Sequence, residues 1–554
     1  HVLFNEHNPS DSITLNDMTI KTADCVRYLG AELIANEEDN RSTFLVRTSG
    51  IAKSIIKRCQ IIKKLRKYMI PEKIFQQACH AFIGGMFNYF LPWIGGETAI
   101  KETIHPLKIA YHAYMRTYTG CMPSTPIELL YATSRFPILE DKIITVSALT
   151  VIKAEAQGTL LGEDYSTWDK NGCNVDGWTP FGRVRYALER TIAKEYGTKI
   201  HPQVIIDSKT LEGLSKCKFN ISTRETAIKL HQLGQLIPEN IDIAIWTDGS
   251  LTRNSNNGDI VIDAGAAAII DISHHQDYEE RIEHPIKKTL RLTNVVSSYE
   301  TEIIAIQAGL DAILPLDPTR RRIHLFTDSL SCIQQLATLP YKYKYTNAVV
   351  NEVAEQLAKL TETNDVEIHF IPSHTEDEIK QSKEIDELAK QAALLEDEEI
   401  DHDPLVSSYK LQLKKREKCK LISYLKSNVK PSHFKGYPDR KLLIEGKIKN
   451  ADETTSVLNS DNVLLNRART GHTRARVHLK NIKIESENTC RHCKRQVETI
   501  RHQLLKCKSF KKKLKAFRDE YEELEIRDFN KALYTHSSFM GEFLSYAYNV
   551  GCYI

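Results

Sequence analysis

Two stretches of the sequence repeat one pattern and limit what the chain can fold into. Residues 244–250 and 323–329 each run from apolar, strand-favouring residues into a Thr-Asp pair followed by Gly or Ser. Each is typical of a buried strand that ends in a carboxylate, Asp248 or Asp328, beside a tight turn. One such copy is equally typical of a hairpin. Two copies 80 residues apart favour a site built from paired carboxylates.

Two further carboxylates lie on predicted helices. The helix after residue 300 has one apolar face, formed by Ile303, Ile306, Leu310 and Ile313. Glu302 lies at the edge of that face; a lone helical Glu is usually solvated, but its place between the two strand carboxylates argues for the site. A strand at 366–371 precedes a polar loop with His374 and a helix that carries Asp386 beside the sheet. This order predicts an α/β layer with a mixed sheet.

Together these residues resemble ribonuclease H of the retroelement and cellular type 1 class. The matching motifs are Thr247-Asp248-Gly249-Ser250, Glu302 through Ile306, Thr327-Asp328-Ser329, Ile371-Pro372-Ser373-His374 and Asp386-Glu387-Leu388-Ala389-Lys390. The resemblance spans 241–395 and implies a mixed five-stranded sheet with helices on both sides. Gln381-Ser382-Lys383 replaces the family's usual Gly-Asn-Glu run, and Ser373 replaces the Gly before the loop His. Both departures can alter loop flexibility or metal affinity.

The resemblance implies endonucleolytic hydrolysis of the RNA strand of an RNA–DNA hybrid. Such cleavage needs an activated water, charge neutralisation at phosphorus and a stabilised leaving oxygen, which two cations about 4 Å apart can supply. Asp248, Glu302, Asp328 and Asp386 would bind two Mg²⁺ ions, or Mn²⁺, with Asp248 shared by both, because these hard cations prefer oxygen ligands. His374 would assist proton transfer or product release, unless it is an ordinary surface histidine.

The amino-terminal part resembles another enzyme. Residues 1–35 read as short strands, with a hairpin signal at Asn16-Asp17, and 41–155 as basic helices. Tyr28-Leu29-Gly30, Phe90-Leu91-Pro92-Trp93 and residues 119–126 resemble the end of the palm and the thumb of a non-LTR retrotransposon reverse transcriptase. That polymerase needs an Asp-Asp pair, which this sequence lacks, so we expect no polymerase activity. With His1 as its first residue, the chain is expected to be cut from a longer protein.

Cys490, Cys493, His502 and Cys507 have the spacing C-x2-C-x8-H-x4-C, which suits four tetrahedral ligands of one Zn²⁺. The alternatives are free thiols and, for the third ligand, His492. The segment resembles the carboxy-terminal zinc-binding element of non-LTR retrotransposon proteins, with a matching run at 465–479. We expect a basic surface for phosphate contacts, made by Arg467, Arg469, Arg474, Arg476, Lys508, Lys511, Lys512 and Lys513.

Charge is unevenly distributed along the chain. The net charge is +3, but 241–400 has 29 Asp/Glu against 14 Lys/Arg, so the remainder carries +18. Basic arms around an acidic catalytic module suggest RNA and DNA as partners as well as the hybrid. The apolar stretch 81–96 is too short and broken for a membrane span and reads as a buried helix pair. The 12 cysteines are scattered except at residues 490–507, as expected of a reduced intracellular protein rather than a secreted one. The expected location is the nucleus or a cytoplasmic ribonucleoprotein.

The predicted fold class is multidomain α/β plus α: a ribonuclease H-like mixed five-stranded sheet with flanking helices, a helical thumb-like amino-terminal region and a small zinc element. The expected segments are a palm end at 1–40, a thumb-like region at 41–155, a connecting region at 156–240, ribonuclease H at 241–395, a basic linker at 396–464, a zinc-binding nucleic-acid element at 465–525 and a tail at 526–554. The linker is expected to be partly extended, either as a nucleic-acid arm or as a merely soluble connection. A catalytically inactive nucleic-acid-binding remnant is the alternative function, and a 3′–5′ exonuclease fits less well.

Overall fold

A computed structural model describes residues 12–15, 18–21, 25–28, 31–35, 44–94, 101–158, 200–256, 259–273, 285–295, 297–341, 345–373, 379–395, 399–430, 440–445 and 458–554. The chain folds into two compact units. The helical unit comprises residues 1–148, 173–187 and 413–554, and the sheet unit comprises 149–172 and 188–412.

The helical unit begins with short antiparallel strands. β1 (Ser12–Leu15) pairs with β2 (Met18–Lys21), which confirms the predicted hairpin. β4 (Ala31–Ala35) pairs with both β3 (Cys25–Tyr28) and β5 (Phe44–Arg47).

Helices follow these strands: α1 (Thr48–Lys63), α2 (Glu72–Cys79), α3 (Gly85–Ile94), α4 (Lys101–Thr119), α5 (Ile127–Ser134) and α6 (Leu139–Ala156). α1 buries its isoleucines 51, 55 and 62 and leaves its lysines exposed, as a basic amphipathic helix should. The helix pair predicted for the apolar stretch is wrong over the described residues 81–94. A π-helical turn (His80–Gly84) joins α2 directly to α3, so the helix continues through Gly84 and Gly85. Among the residues that the structure describes, no helix is long and apolar enough to cross a membrane.

The sheet unit includes part of the predicted connecting region. β6 (Gln203–Ile205), α7 (Ser208–Leu214), β7 (Lys218–Asn220) and α8 (Arg224–Gln232) precede the main strands. The helix expected near Arg224–Leu233 is therefore confirmed, whereas the one expected near 184–196 lies outside the described residues.

The main sheet contains the five predicted strands. β8 (Ile243–Asn256), β9 (Asp259–Ile272) and β10 (Ile286–Thr293) are antiparallel neighbours. β11 (Arg322–Thr327) lies parallel to β8, and β13 (Asp365–Phe370) lies parallel to β11.

Two short strands lie at the edges of this sheet: β7 pairs with β13, and β14 (Glu399–Asp401) pairs with β10. They make the sheet seven-stranded rather than five-stranded, in the order β14-β10-β9-β8-β11-β13-β7. The two segments come from the predicted connecting region and linker. They pair because an exposed sheet edge presents unpaired backbone groups to any adjacent extended segment. A separate strand, β12 (Tyr345–Asn347), pairs with β6.

Helices cover both faces of the sheet. α9 (Ser298–Ile313), α10 (Leu330–Thr338) and α11 (Ala348–Leu360) bury apolar side chains against one face, and α12 (Lys380–Ala392) packs against the other. All four isoleucine and leucine side chains predicted to face the sheet from α9 are buried. The expected strand–helix order and mixed sheet are thus confirmed.

The carboxy-terminal residues are more ordered than the sequence predicted. They form α13 (Val406–Asn428), α14 (Arg440–Glu445), α15 (Asn459–Thr470), α16 (Arg476–Asn481), a π-helical turn (His502–Lys506), α17 (Lys515–Glu523), α18 (Phe529–Thr535) and α19 (Ser537–Asn549). The prediction of a partly extended linker is wrong for residues 406–428, which form the helix α13. This helix carries a narrow buried stripe, Tyr409, Leu413, Leu421 and Leu425, spaced by four or eight residues, which its lysines obscure in the sequence. The predicted tail is also helical, and Met540, Phe543 and Leu544 are buried in the core that α15 shares.

Candidate active site and metal centre

The two Thr-Asp motifs lie side by side because β8 and β11 are parallel neighbours. Their pairing ends at Thr247 and Thr327, so Asp248 and Asp328 each follow the last paired residue. The predicted turn after Asp248 is wrong: β8 continues to Asn256 in a long hairpin with β9. Asp248 is therefore still paired with β9, whereas the pairing of β8 with β11 ends one residue before it.

Gly249 brings Glu302 to these two aspartates. A Cβ atom at position 249 would lie 2.5 Å from the backbone nitrogen of Glu302 and 2.5 Å from the carbonyl carbon of Thr301. Glycine therefore lets the first turn of α9 approach β8, which is a different role from the predicted turn. Asp248, Glu302 and Asp328 each offer one carboxylate oxygen, and these atoms all lie within 4.8 Å of one another. We call this set the carboxylate cluster.

Burial and mutual repulsion disfavour negative charge in the cluster. Burial raises the pKa of Asp248 to about 7, and the neighbouring charges of Asp328 and Asp386 act in the same direction. Burial, followed by the charges of Asp328 and Asp248, raises the pKa of Glu302 well above its ordinary value. The Oε2 atom of Glu302 is buried and receives no hydrogen bond from the described residues. A buried carboxylate oxygen of this kind is stabilised by a proton or a cation, so the donor set fits a hard divalent ion.

Asp386 lines the same pocket from α12. A Cβ atom at position 265 would meet the carbonyl oxygen of Ala389 at 2.4 Å, so Gly265 of β9 permits this helix to come close. The Oδ2 atom of Asp386 lies 2.5 Å from Nζ of Lys390, one helical turn further on. Lys390 also lines the pocket, although sequence reasoning gave it no role. Its four-residue spacing from Asp386 was the available signal.

His374 lies outside the described residues, so its role stays a prediction. The chain just before it is anchored, because Nη2 of Arg224 in α8 donates a hydrogen bond of 2.8 Å to the carbonyl oxygen of Ser373. Ser373 and Ser382, which mark the two departures from the family pattern, both line the pocket.

Glu300 lies close to Glu302 in sequence but supports the site from elsewhere. Its Oε2 atom accepts hydrogen bonds from the backbone nitrogen and hydroxyl of Ser297, the N-cap residue that precedes α9. Its Oε1 atom accepts a bond of 2.8 Å from the backbone nitrogen of Leu405. The Ser-x-x-Glu spacing was the signal for this cap, and it fixes the helix end that carries Glu302.

The four predicted zinc ligands come together in the helical unit. Sγ of Cys490 lies 4.0 Å from Sγ of Cys507, and Sγ of Cys493 lies 3.3 Å from Nε2 of His502. The four ligand atoms lie within 4.8 Å of one another, near the ~3.8 Å that separates sulfurs on a tetrahedral zinc ion. We call this set the cysteine cluster. His492 is outside it, against the rings of Phe510 and Tyr553.

The predicted basic surface of this element needs correction. Two of its arginines bind carbonyl oxygens inside the helical unit: Arg467 that of Gly120, and Arg469 that of Leu533. Arg476 pairs with Glu485. Arg474 is exposed, as are the lysines 508, 511, 512 and 513.

Comparison with known families agrees with the geometry of the sheet unit. Residues 240–394 match the family model for RNase H, close to the limits expected from the motifs. No curated protein matches the chain. The matched segment contains the main strands β8, β9, β10, β11 and β13, the helices on both faces and all the carboxylates of the pocket. Residues 240–394 form a ribonuclease H-type domain.

Proposed function

We propose that this protein hydrolyses the RNA strand of RNA–DNA hybrids by a two-metal mechanism. The observation that carries the proposal is the carboxylate cluster in the pocket that Asp386 also lines, within a domain that matches ribonuclease H. The non-LTR retroelement origin rests on the resemblances of the flanking segments and is part of the same proposal.

Asp248, Glu302, Asp328 and Asp386 would hold the ions, with Asp248 shared by both, as the resemblance to ribonuclease H implies. When bound, two Mg²⁺ ions supply charge neutralisation at phosphorus, activation of water and stabilisation of the leaving oxygen. The protein supplies a rigid position for each carboxylate: β8 and β11 hold the aspartates, and capped α9 holds Glu302. Lys390 competes with cations for Asp386 and adds positive charge where the phosphate backbone would pass.

The test is cleavage of a hybrid that carries a label on the RNA strand, in Mg²⁺ buffer, with single-stranded RNA, double-stranded RNA and double-stranded DNA as controls. We expect internal cuts in the RNA of the hybrid alone. Asp328→Asn should reduce the rate at least ~10³-fold, because two-metal stabilisation is worth several kcal/mol and 1.36 kcal/mol is tenfold.

Glu355→Gln is a matched control in the same unit, since Glu355 is exposed on α11 away from the pocket residues. A wild-type chain that binds hybrid without cutting it would support the inactive nucleic-acid-binding alternative. Full cleavage by Asp328→Asn would contradict the assignment of the site.

We further propose that the cysteine cluster binds one Zn²⁺ and that the surrounding element contacts nucleic acid. The supporting observations are the four converging ligand atoms and the exposed lysines 508, 511, 512 and 513 that follow Cys507. Lysines of this kind contact phosphates without reading sequence.

A further inference from the structure

A second group of metal-ligating side chains lies on the main sheet. His324 is on β11, and Glu367 and His369 are on β13. The parallel register pairs His324 with Glu367 and Phe326 with His369, so the three side chains lie on one face. Each offers one ligand atom, and the atoms lie within 4.8 Å of one another. We call this set the histidine cluster.

The distances within the histidine cluster approach those of a coordination shell. Nδ1 of His324 lies 2.9 Å from Nε2 of His369, and Oε2 of Glu367 lies 3.8 Å from the same Nε2 atom. Ligand atoms on a tetrahedral zinc ion are separated by about 3.3 Å when the bonds are 2.0–2.1 Å long. Small side-chain rotations would therefore open the histidine pair and bring in the carboxylate.

The neighbouring edge strand β7 supplies groups that orient the ligands. Nδ2 of Asn220 lies 3.2 Å from Nδ1 of His369 and 3.2 Å from Oε2 of Glu367. Nζ of Lys218 lies 2.8 Å from Oε1 of Glu367. Metal-binding histidines commonly have such a partner on their other ring nitrogen.

We propose that His324, Glu367 and His369 bind Zn²⁺ and so tie β11 to β13. Two imidazoles and one carboxylate are a ligand set that suits Zn²⁺ and leaves one position for water, whereas Mg²⁺ prefers oxygen alone. Both imidazoles are 5% exposed, and burial lowers their pKa values, that of His369 to about 4, so they are neutral at pH 7. Glu367 is partly exposed and gives the ion a route from solvent.

The proton count balances. With Asn220 donating to Nδ1 of His369, the ring proton is on Nε2 and points to His324. On metal binding, this proton moves to Nδ1, and the Asn220 amide turns so that its oxygen accepts from Nδ1. The same turn withdraws the amide N–H from Glu367 and frees Oε2 as a ligand.

The test counts zinc in the full chain. Protein would be dialysed against Zn²⁺ in excess Mg²⁺, which occupies the carboxylate cluster, and the bound zinc measured by elemental analysis. We expect His369→Ala and Glu367→Gln each to bind one equivalent fewer than wild type. Cys490→Ser should lose the zinc ion of the cysteine cluster and keep that of the histidine cluster. The double variant Cys490→Ser/Glu367→Gln should lose both zinc ions.

Three variants sharpen the result. His105→Ala, an exposed histidine on α4, should keep the wild-type zinc count. Asn220→Ala should keep the site but weaken it roughly 10–100-fold in competition with a zinc chelator, because it removes the partner of His369. Glu367→Gln keeps the side-chain shape and carries the test if His369→Ala does not fold. An unchanged zinc count and affinity in folded Glu367→Gln and His369→Ala would overturn the proposal, whatever the outcome of the hybrid assay.

Discussion

At the scale of single residues, the same carboxylate can weaken the fold and serve the chemistry. Asp248 and Glu302 are held where burial and neighbouring charges oppose ionisation. Such an arrangement is tolerated at sites where a cation relieves the repulsion. This balance makes the pH dependence of stability a test of the site.

Without divalent metal, the free energy of unfolding should fall as the pH rises from 5 to 8. A carboxylate whose pKa is raised in the folded state holds its proton more tightly there than in the unfolded chain. Its contribution to the free energy of unfolding is therefore complete below the pKa of the unfolded state, which is about 4 for Asp. It is lost as the pH rises through about 7 for Asp248. The contribution of Asp248 between pH 5 and 8 is on the order of 2 kcal/mol.

Melting in EDTA across this pH range measures the effect. Asp248→Asn should flatten the curve and melt higher than wild type at pH 8, and Mg²⁺ should stabilise wild type more at pH 8 than at pH 5. Asp263→Asn, in the neighbouring strand β9 but outside the pocket, is the control. A wild-type curve that rises from pH 5 to 8, or equal slopes in wild type and Asp248→Asn, would argue against a strained cluster.

At the scale of elements, the site depends on how closely two helices approach the sheet. α9 reaches β8 at Gly249, and α12 reaches β9 at Gly265. Since α9 carries Glu302 and α12 carries Asp386, a small displacement of either helix separates the metal ligands.

Gly249→Ala should reduce both stability and hybrid cleavage. The new methyl group would meet the backbone of Thr301 and Glu302, which cannot move without shifting α9. Overpacking of this kind costs about 1–3 kcal/mol. Chemical denaturation and the hybrid assay would check the two effects.

Gly85→Ala is the matched control, because nothing lies within 4 Å of a Cβ atom there and the residue is helical. It should leave cleavage unchanged and stability equal or slightly higher. If Gly249→Ala behaved like Gly85→Ala, the close approach of α9 would not matter to the site.

At the scale of the whole molecule, contacts between distant parts of the chain build the helical unit. Arg66, after α1, donates to Oδ1 of Asn459 at 3.0 Å and to the carbonyl oxygen of Thr117 at 2.5 Å. Asn459 in turn donates to Glu72 at 2.8 Å. The start of α15 is thus hydrogen-bonded to α2 directly and to α4 through Arg66. These bonds attach the residues before the cysteine cluster to the rest of the helical unit.

Cys490→Ser and His502→Ala should each abolish zinc binding at the cysteine cluster and loosen the element around it, because such a site contributes directly to folding. Zinc content and hydrogen exchange of peptides from 488–507 would report both effects. Cys552→Ser and His492→Ala are the controls, since both side chains lie near the cluster but outside it. Loss of zinc in His492→Ala with retention in His502→Ala would reverse the ligand assignment.

The sequence by itself determined which carboxylates meet, the order of the main strands and helices within residues 241–395 and the spacing of the cysteine cluster. These features are local: alternation, helical periodicity and ligand spacing are all visible within short windows. Tertiary structure alone decided that β8 continues past Asp248, that Gly249 admits a helix, and that Arg467 and Arg469 bind carbonyl oxygens rather than solvent or phosphate. The partners that decide these points are distant in the chain, and short-range patterns carry no information about them.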